Sequence, residues 1–337
     1  MLKQIIIWKK GNYEMKLFAN IANRMQKKRA YRAVRGFRAS ALIGIALAMS
    51  LCAGCGSSGS TAESTASEEA SAADTESGSG KDASVLVYGS GEITRINPAM
   101  DEHGEISKLI FDGLMAVDTD NNLVPGLAES YEYDEANSTY TFHIRDGVKW
   151  HDGEPFTAED VKFTIEAIQD PNNASENAPD FEDVEEIDVV DDNTVTFKLS
   201  APNSAFLQYM TMPVMPKHLL EGEDMQESDF FRAPVGTGVY KVESFDPDQA
   251  VVLVKNEDYY LGAANIDKII FKIVPDDNTQ AMQLTTGEID MALLDPKNAA
   301  NFDGKEGFVR HDMKTADYRG ILYNFANEYW QENKDLI

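Results

Sequence analysis

Cysteine is nearly absent from this chain of 337 residues: the two present, Cys52 and Cys55, both lie within the first 55 positions. The remainder therefore has no disulfide framework and no thiolate metal site. Long apolar runs are missing as well. The charge-free stretch 39–51 (ASALIGIALAMSL) has thirteen residues, which as a helix rise about 20 Å, short of the roughly 30 Å hydrocarbon layer of a membrane. Basic residues are scarce, 30 against 57 acidic, for a net charge of −27, which excludes a phosphate-neutralising nucleic-acid face. No G-x-x-x-x-G-K-[ST], H-E-x-x-H or G-x-S-x-G pattern occurs, so nucleotide, zinc-protease and nucleophile-elbow chemistry lack their signatures. The five histidines, His103, His143, His151, His218 and His311, show no ligand spacing and read as surface or hairpin residues. Acidic pairs are abundant, but a chain this acidic produces them by chance, so they argue little for a hydrolase.

What is present is unevenly distributed. Residues 1–54 hold eleven of the basic residues and one acid, Glu14, and so carry +10, leaving −37 on the remaining 283. A basic start, a short apolar core and then an acidic body is the layout of an exported protein behind its signal peptide. Small residues Ala53 and Gly54 stand directly before Cys55, which resembles the lipobox of bacterial lipoproteins. That resemblance implies acylation of Cys55 and cleavage just ahead of it. Cys52 departs from the pattern by standing where Leu is usual, and bulky Leu51 makes Cys52 the poorer lipid site. Met25 opens a shorter basic region, so residues 1–24 are expected to be an over-extended start. The segment 56–83 contains 21 Ser, Thr, Ala or Gly, six acids and one Lys. It cannot bury enough surface to offset its conformational entropy and is expected to be a flexible tether spanning 55–83.

From residue 84 the apolar periodicity switches between two and three to four, the mark of a mixed α/β protein. Residues 138–145 put Tyr140, Phe142 and Ile144 on one face of a strand; 194–199 alternates likewise with Val195, Phe197 and Leu199, and pairs with 184–190 across a turn of Asp191, Asp192 and Asn193. Thr157 with Asp160 opens a helix carrying Val161, Ile165 and Ile168, which Pro171 ends. A hairpin over 239–255, a strand at 266–274, a helix at 276–287 and strands near 289–294, 308–314 and 318–324 complete the pattern. The run 118–129 has acids and amides at calcium-loop spacing, yet Leu123 replaces the required glycine, and an Asp/Asn turn is the preferred reading.

Three consecutive phrases, 124–130 (VPGLAES), 140–153 (YTFHIRDGVKWHDG) and 155–161 (PFTAEDV), followed by 234–240 (PVGTGVY) and 287–290 (GEID), resemble the family 5 extracytoplasmic solute-binding proteins of ABC transporters, the oligopeptide, dipeptide and nickel group. The resemblance runs in order from about residue 85 to the end. It implies an α/β fold of type II periplasmic-binding-protein architecture with an extra inserted lobe: lobe I at 84–114 and 215–325, inserted lobe II at 115–214, and only the start of a third lobe at 326–337. It also implies a non-catalytic receptor without cofactor, partnered by a permease and ATPase complex, held to the membrane by its lipid, with peptides as solute.

In that family a peptide lies extended between the first and third lobes, and its backbone pairs with short strand segments. The segment aligned with the first-lobe contact is Asp101, Glu102, His103 and Gly104; the alternative for it is an exposed acidic loop ahead of a helix near Glu105. Tyr318 and Arg319 align with the crossing to the third lobe, where Arg319 either meets a ligand carboxylate or forms a structural ion pair. The turn Gly236–Gly238 is expected to serve backbone geometry, with Val239 standing where the family usually has Pro. Because lobe III and the strands that return to complete lobe I are expected to be missing, lobe I is expected to have an open edge, with poor stability and weak solute binding. A nickel or metal-chelate receptor and, from another class, an extracytoplasmic hydrolase remain the alternatives.

Overall fold

The computed structural model describes residues 5–9, 84–98, 100 and 106–312. In chain order the main elements are β1 (Ile5–Lys9), β2 (Val85–Ser90), α1 (Ser107–Ile110), β3 (Met115–Val117), β4 (Leu123–Pro125), β5 (Ala128–Asp134), β6 (Thr139–Ile144) and α2 (Ala158–Gln169). They continue as β7 (Val184–Asp191), β8 (Thr194–Leu199), α3 (Phe206–Tyr209), α4 (Lys217–Leu220), β9 (Tyr240–Asp246), β10 (Ala250–Lys255), β11 (Lys268–Ile273), α5 (Asp277–Thr286), β12 (Met291–Leu294), α6 (Pro296–Ala299) and β13 (Phe308–Asp312).

The strands form a seven-stranded sheet ordered β13-β1-β12-β2-β11-β10-β9, a four-stranded sheet ordered β5-β6-β8-β7 and a two-stranded ribbon of β3 and β4. In the large sheet β2 runs parallel to both β11 and β12, and β9, β10 and β11 form an antiparallel meander. Asp267 fixes the start of the parallel pair. Its carboxylate accepts from the Ser84 backbone N–H at 2.7 Å and meets Lys255 Nζ at 2.7 Å. Those partners hold the Asp267 carboxyl down at about 2, the Lys255 ammonium first among them.

The four-stranded sheet follows its alternation. Tyr140, Phe142 and Ile144 on β6 and Val195, Phe197 and Leu199 on β8 are all buried, and the β6–β8 register sets Tyr140 opposite Phe197. Phe197 lies edge-on to Phe142 at 5.8 Å and to Phe206 of α3 at 5.5 Å, the T-shaped geometry that aromatic quadrupoles favour. Helix α2 packs Val161, Ile165 and Ile168 into this core. Its capping box is complete: the Asp160 carboxylate accepts the Thr157 backbone N–H at 2.9 Å. Helix α5 is capped by Asp276, which accepts from Thr279 N–H at 2.8 Å, and ends at Gly287, whose φ of 85° is the left-handed geometry glycine adopts freely.

No folded element is expected ahead of residue 84, yet β1 lies there, inside the large sheet between β12 and β13. Three consecutive isoleucines give that segment strong strand preference, and Ile6 and Ile7 are both buried. The sheet's edges are β13 and β9. The strand expected near 318–324 lies outside the described residues, as do Cys52, Cys55, the tether and residues 326–337.

Candidate functional site

The chain passes between the two large sheets twice, once through residues 111–115 and once through 210–215. The passes are bonded to each other: Met115 N–H donates to Met210 O at 2.9 Å and Val214 N–H to Asp112 O at 3.0 Å. Such contact needs bare backbone. A Cβ on Gly113 would lie 2.7 Å from Met212 O, and one on Gly126 would lie 2.5 Å from Gly113 O.

Asp112 sits at this crossing with a buried carboxyl. Its backbone N–H donates to Thr237 Oγ1 at 3.2 Å, and Oδ1 accepts from the Tyr259 hydroxyl at 3.3 Å. The other oxygen, Oδ2, is buried with no hydrogen-bond partner. Burial pushes this carboxyl up to about 7, with the Tyr259 and Tyr260 hydroxyls opposing only in part. The same burial, together with the Asp112 charge, pushes both tyrosines upward. Arg145 closes the cluster, its guanidinium 6.0 Å from the Tyr260 ring and its Nε donating to Gly126 O at 2.7 Å.

Beside it the turn 147–155 is clasped to the Gly236–Gly238 turn through His151. Its backbone N–H donates to Gly236 O at 2.8 Å, its Nδ1 accepts from Gly236 N–H at 3.1 Å, and Nε2 lies 2.9 Å from Gly238 O. That set requires the neutral tautomer with the proton on Nε2. Burial drives the His151 pKa down to about 4, and the Lys241 charge adds to the effect. The turn glycines act by close approach: a Cβ on Gly236 would collide with Ile110 O, and one on Gly238 would stand 2.5 Å from Leu109 O. His151 thus lies in a turn closed by the Lys149–Pro155 bridge, as a hairpin residue, and there acts as a half-buried clasp, a role that depends on residues 85 positions away in the chain.

The proposed contacts Asp101, Glu102, His103, Gly104, Tyr318 and Arg319 lie outside the described residues. The residues flanking the first group are anchored. Asn97 is buried, donates through Nδ2 to Met225 O at 2.8 Å and accepts from Met100 N–H at 3.3 Å. Glu176 N–H donates to Met100 O at 3.2 Å, and Ile106 and Ser107 are buried on the other side. The calcium-like loop uses its lead carboxylate internally: Asp118 Oδ1 accepts from the backbone N–H groups of Asp120 at 2.8 Å and Asn122 at 2.9 Å, an Asx turn. Among the described residues no group of three or more His, Cys, Asp or Glu could hold a metal ion, and no helix is long and apolar enough to cross a membrane.

Residues 122–334 match the family model described as bacterial extracellular solute-binding proteins, family 5 Middle. The chain is a family 5 solute-binding protein. This solute-binding protein is 30% identical over 246 residues to protein XP55 of Streptomyces lividans, covering 73% of this chain and 45% of that one. It is 29% identical over 308 residues to the oligopeptide-binding protein AppA of Bacillus subtilis, covering 88% of this chain and 54% of AppA. The structure of AppA in complex with a nonapeptide matches with a TM-score of 0.61 over 66% of this chain and 46% of that one. NikZ of Campylobacter jejuni, solved with Ni(L-His), matches with a TM-score of 0.63 and 35% identity over 66% of this chain and 45% of that one. The solute-binding protein thus spans about half the length of the relatives it matches, and its α/β sheets have the type II periplasmic-binding-protein fold.

The crossing cluster was not legible beforehand. The signal available for Asp112 was an acid set between Ile110, Phe111 and Leu114 in an otherwise apolar run. Its partners Tyr259 and Tyr260 are some 147 positions away, and only the fold brings them together.

Proposed function

We propose that the protein is the solute receptor of a peptide-type ABC importer, held outside the cytoplasm by a lipid on Cys55, and that its solutes are dipeptides or oligopeptides. The observation that carries this reading is the family match over 122–334, in a chain that is also similar over 88% of its length to an oligopeptide-binding protein. Residues 84–114 with 215–325 form lobe I, 115–214 lobe II, and 326–337 begin a third lobe. Asp101–Gly104, Tyr318 and Arg319 face the peptide. The anchoring of Asn97, Met100 and Ile106 supports this, because a contact loop held at both ends loses less entropy on binding. The receptor is non-catalytic, and closure of its lobes on the solute makes the state that the permease and ATPase partners read. Residues 55–337 carry −37 with the tether included, and an acidic body on an acidic tether stands off an anionic membrane surface.

A second reading within the family has its own support: the likeness to NikZ with Ni(L-His) favours a nickel-chelate receptor. Thermal denaturation of the protein purified from the cells that encode it separates the readings. A ligand present at 100 times its Kd stabilises by about 2.7 kcal/mol, so peptides raise the melting temperature by several degrees and nickel with histidine does not. The reverse pattern establishes the nickel reading, and steady hydrolysis of a peptide or glycoside without any shift overturns both.

A further inference from the structure

The Asp112 carboxyl is unevenly served at the crossing. Oδ1 accepts from the Tyr259 hydroxyl, whereas Oδ2 is buried without a hydrogen-bond partner. An ionised carboxylate calls for donors at both oxygens, and a buried charge left unpaired on one of them costs far more than the neutral acid. The elements packed around it offer few ionisable groups. Tyr259 and Tyr260, which follow β10, are held neutral by burial. The pass 210–215 and the Gly236–Gly238 turn carry no ionisable side chain, Lys108 of α1 is exposed, and His151 has both ring nitrogens engaged on that turn. The cation that borders the cluster is Arg145. Its guanidinium lies 6.0 Å from the Tyr260 ring, and its Nε donates to Gly126 O at 2.7 Å. Gly126 and its neighbour are bonded in turn to the residues that follow Asp112: Leu127 N–H donates to Gly113 O at 2.9 Å and Gly126 N–H to Leu114 O at 3.0 Å.

We propose that Arg145 is a two-position latch: it holds the Gly126 carbonyl while Asp112 is protonated and turns to Asp112 Oδ2 when that proton is lost, loosening the β4–β5 turn at the crossing. Only the side chain has to move, because the Arg145 backbone is fixed by its N–H, which donates to Leu127 O at 2.9 Å. A guanidinium bonds a carboxylate more strongly than a neutral carbonyl, and its fork can serve the unpartnered oxygen while Tyr259 keeps the other. The proton leaves to solvent and the guanidinium charge takes its place, so the buried pair stays neutral. Burial sets the change near pH 7, where modest acidification or alkalinisation moves the latch. Such a group is a two-state element biased by a single proton. The latch depends neither on the solute nor on the lipid anchor.

The full chain, isotope-labelled at the arginine nitrogens and the aspartate carboxyl carbons, is titrated by NMR from about pH 5.5 to about 8.5, more than a unit to either side of the change. The Arg145 Nε–H resonance is expected to move in step with the Asp112 carboxyl carbon, with one shared midpoint. Asp112→Asn, which cannot ionise, leaves that resonance fixed. In Arg145→Gln the Asp112 midpoint rises, because the cation that favours the charged form is gone. Exchange of the Gly126 and Leu127 amides, corrected for its intrinsic pH dependence, speeds at least threefold across the midpoint while that of β8 holds steady. If a variant does not fold, the native chain decides alone through shared or separate midpoints. An Arg145 resonance that stays fixed while Asp112 ionises, as entry of water would give, overturns the latch. So does an Asp112 that does not titrate in this range, or exchange at Gly126 and Leu127 that ignores its titration.

Discussion

Burial shifts Asp112, in the crossing, and the half-buried His151 beside it in opposite directions. The folded state keeps Asp112 protonated up to about 7, whereas the unfolded chain releases that proton near 3.8. Stability from this group is therefore full below pH 3.8 and falls as pH rises through 7, by about 4 kcal/mol. His151 has the opposite sign: the folded state refuses a proton until about 4, and the unfolded chain takes one near 6.5, so about 3 kcal/mol is lost as pH falls through that window. Between pH 4 and 6.5 the two slopes offset. Thermal melts across this range are expected to be flat in these two contributions for the native protein, to fall on acidification for Asp112→Asn and to fall on alkalinisation for His151→Gln. Variants that keep the native profile would show that neither group is buried as described.

At the scale of elements, the Gly236–Gly238 turn is what lets the β9 approach lie against the end of α1. Gly236→Ala places a methyl into the Ile110 carbonyl, a backbone atom that cannot rotate away. A loss of about 3 kcal/mol is expected, lowering the melting temperature by roughly 6–12 °C at 2–4 °C per kcal/mol. Gly91→Ala, with nothing within 4 Å of the new carbon, is the control and should stay within about 0.5 kcal/mol. Equal melting of the two variants would contradict the close approach. Elements such as β6, β8 and α2 were legible in the sequence because each carries its whole signal locally: alternation of Tyr140, Phe142 and Ile144, or Thr157 and Asp160 ahead of Val161 and Ile165. The clasp at His151 and the buried carboxyl at Asp112 were not, because their partners come from turns and tyrosines distant in the chain. Strand β1 was hidden for a different reason. Its isoleucines sit in a basic stretch whose charge pattern signals export, and composition carries no information on which slot a strand will fill.

At the scale of the whole molecule, the scarcity of cysteine, the charge reversal near Cys55 and the family match converge on an exported binding protein whose body relies on packing and hydrogen bonds rather than cross-links. The aromatic core around Phe142, Phe197 and Phe206 and the bonded crossings hold the two sheets. A receptor reading requires that solute be held and returned unaltered. Calorimetric titration of the protein from its native cells with an oligopeptide, followed by mass analysis of the peptide, tests this most directly. Saturable, stoichiometric heat with a negative heat-capacity change and recovery of intact peptide is the result expected; cleaved peptide, or no saturable heat with any peptide, would contradict it.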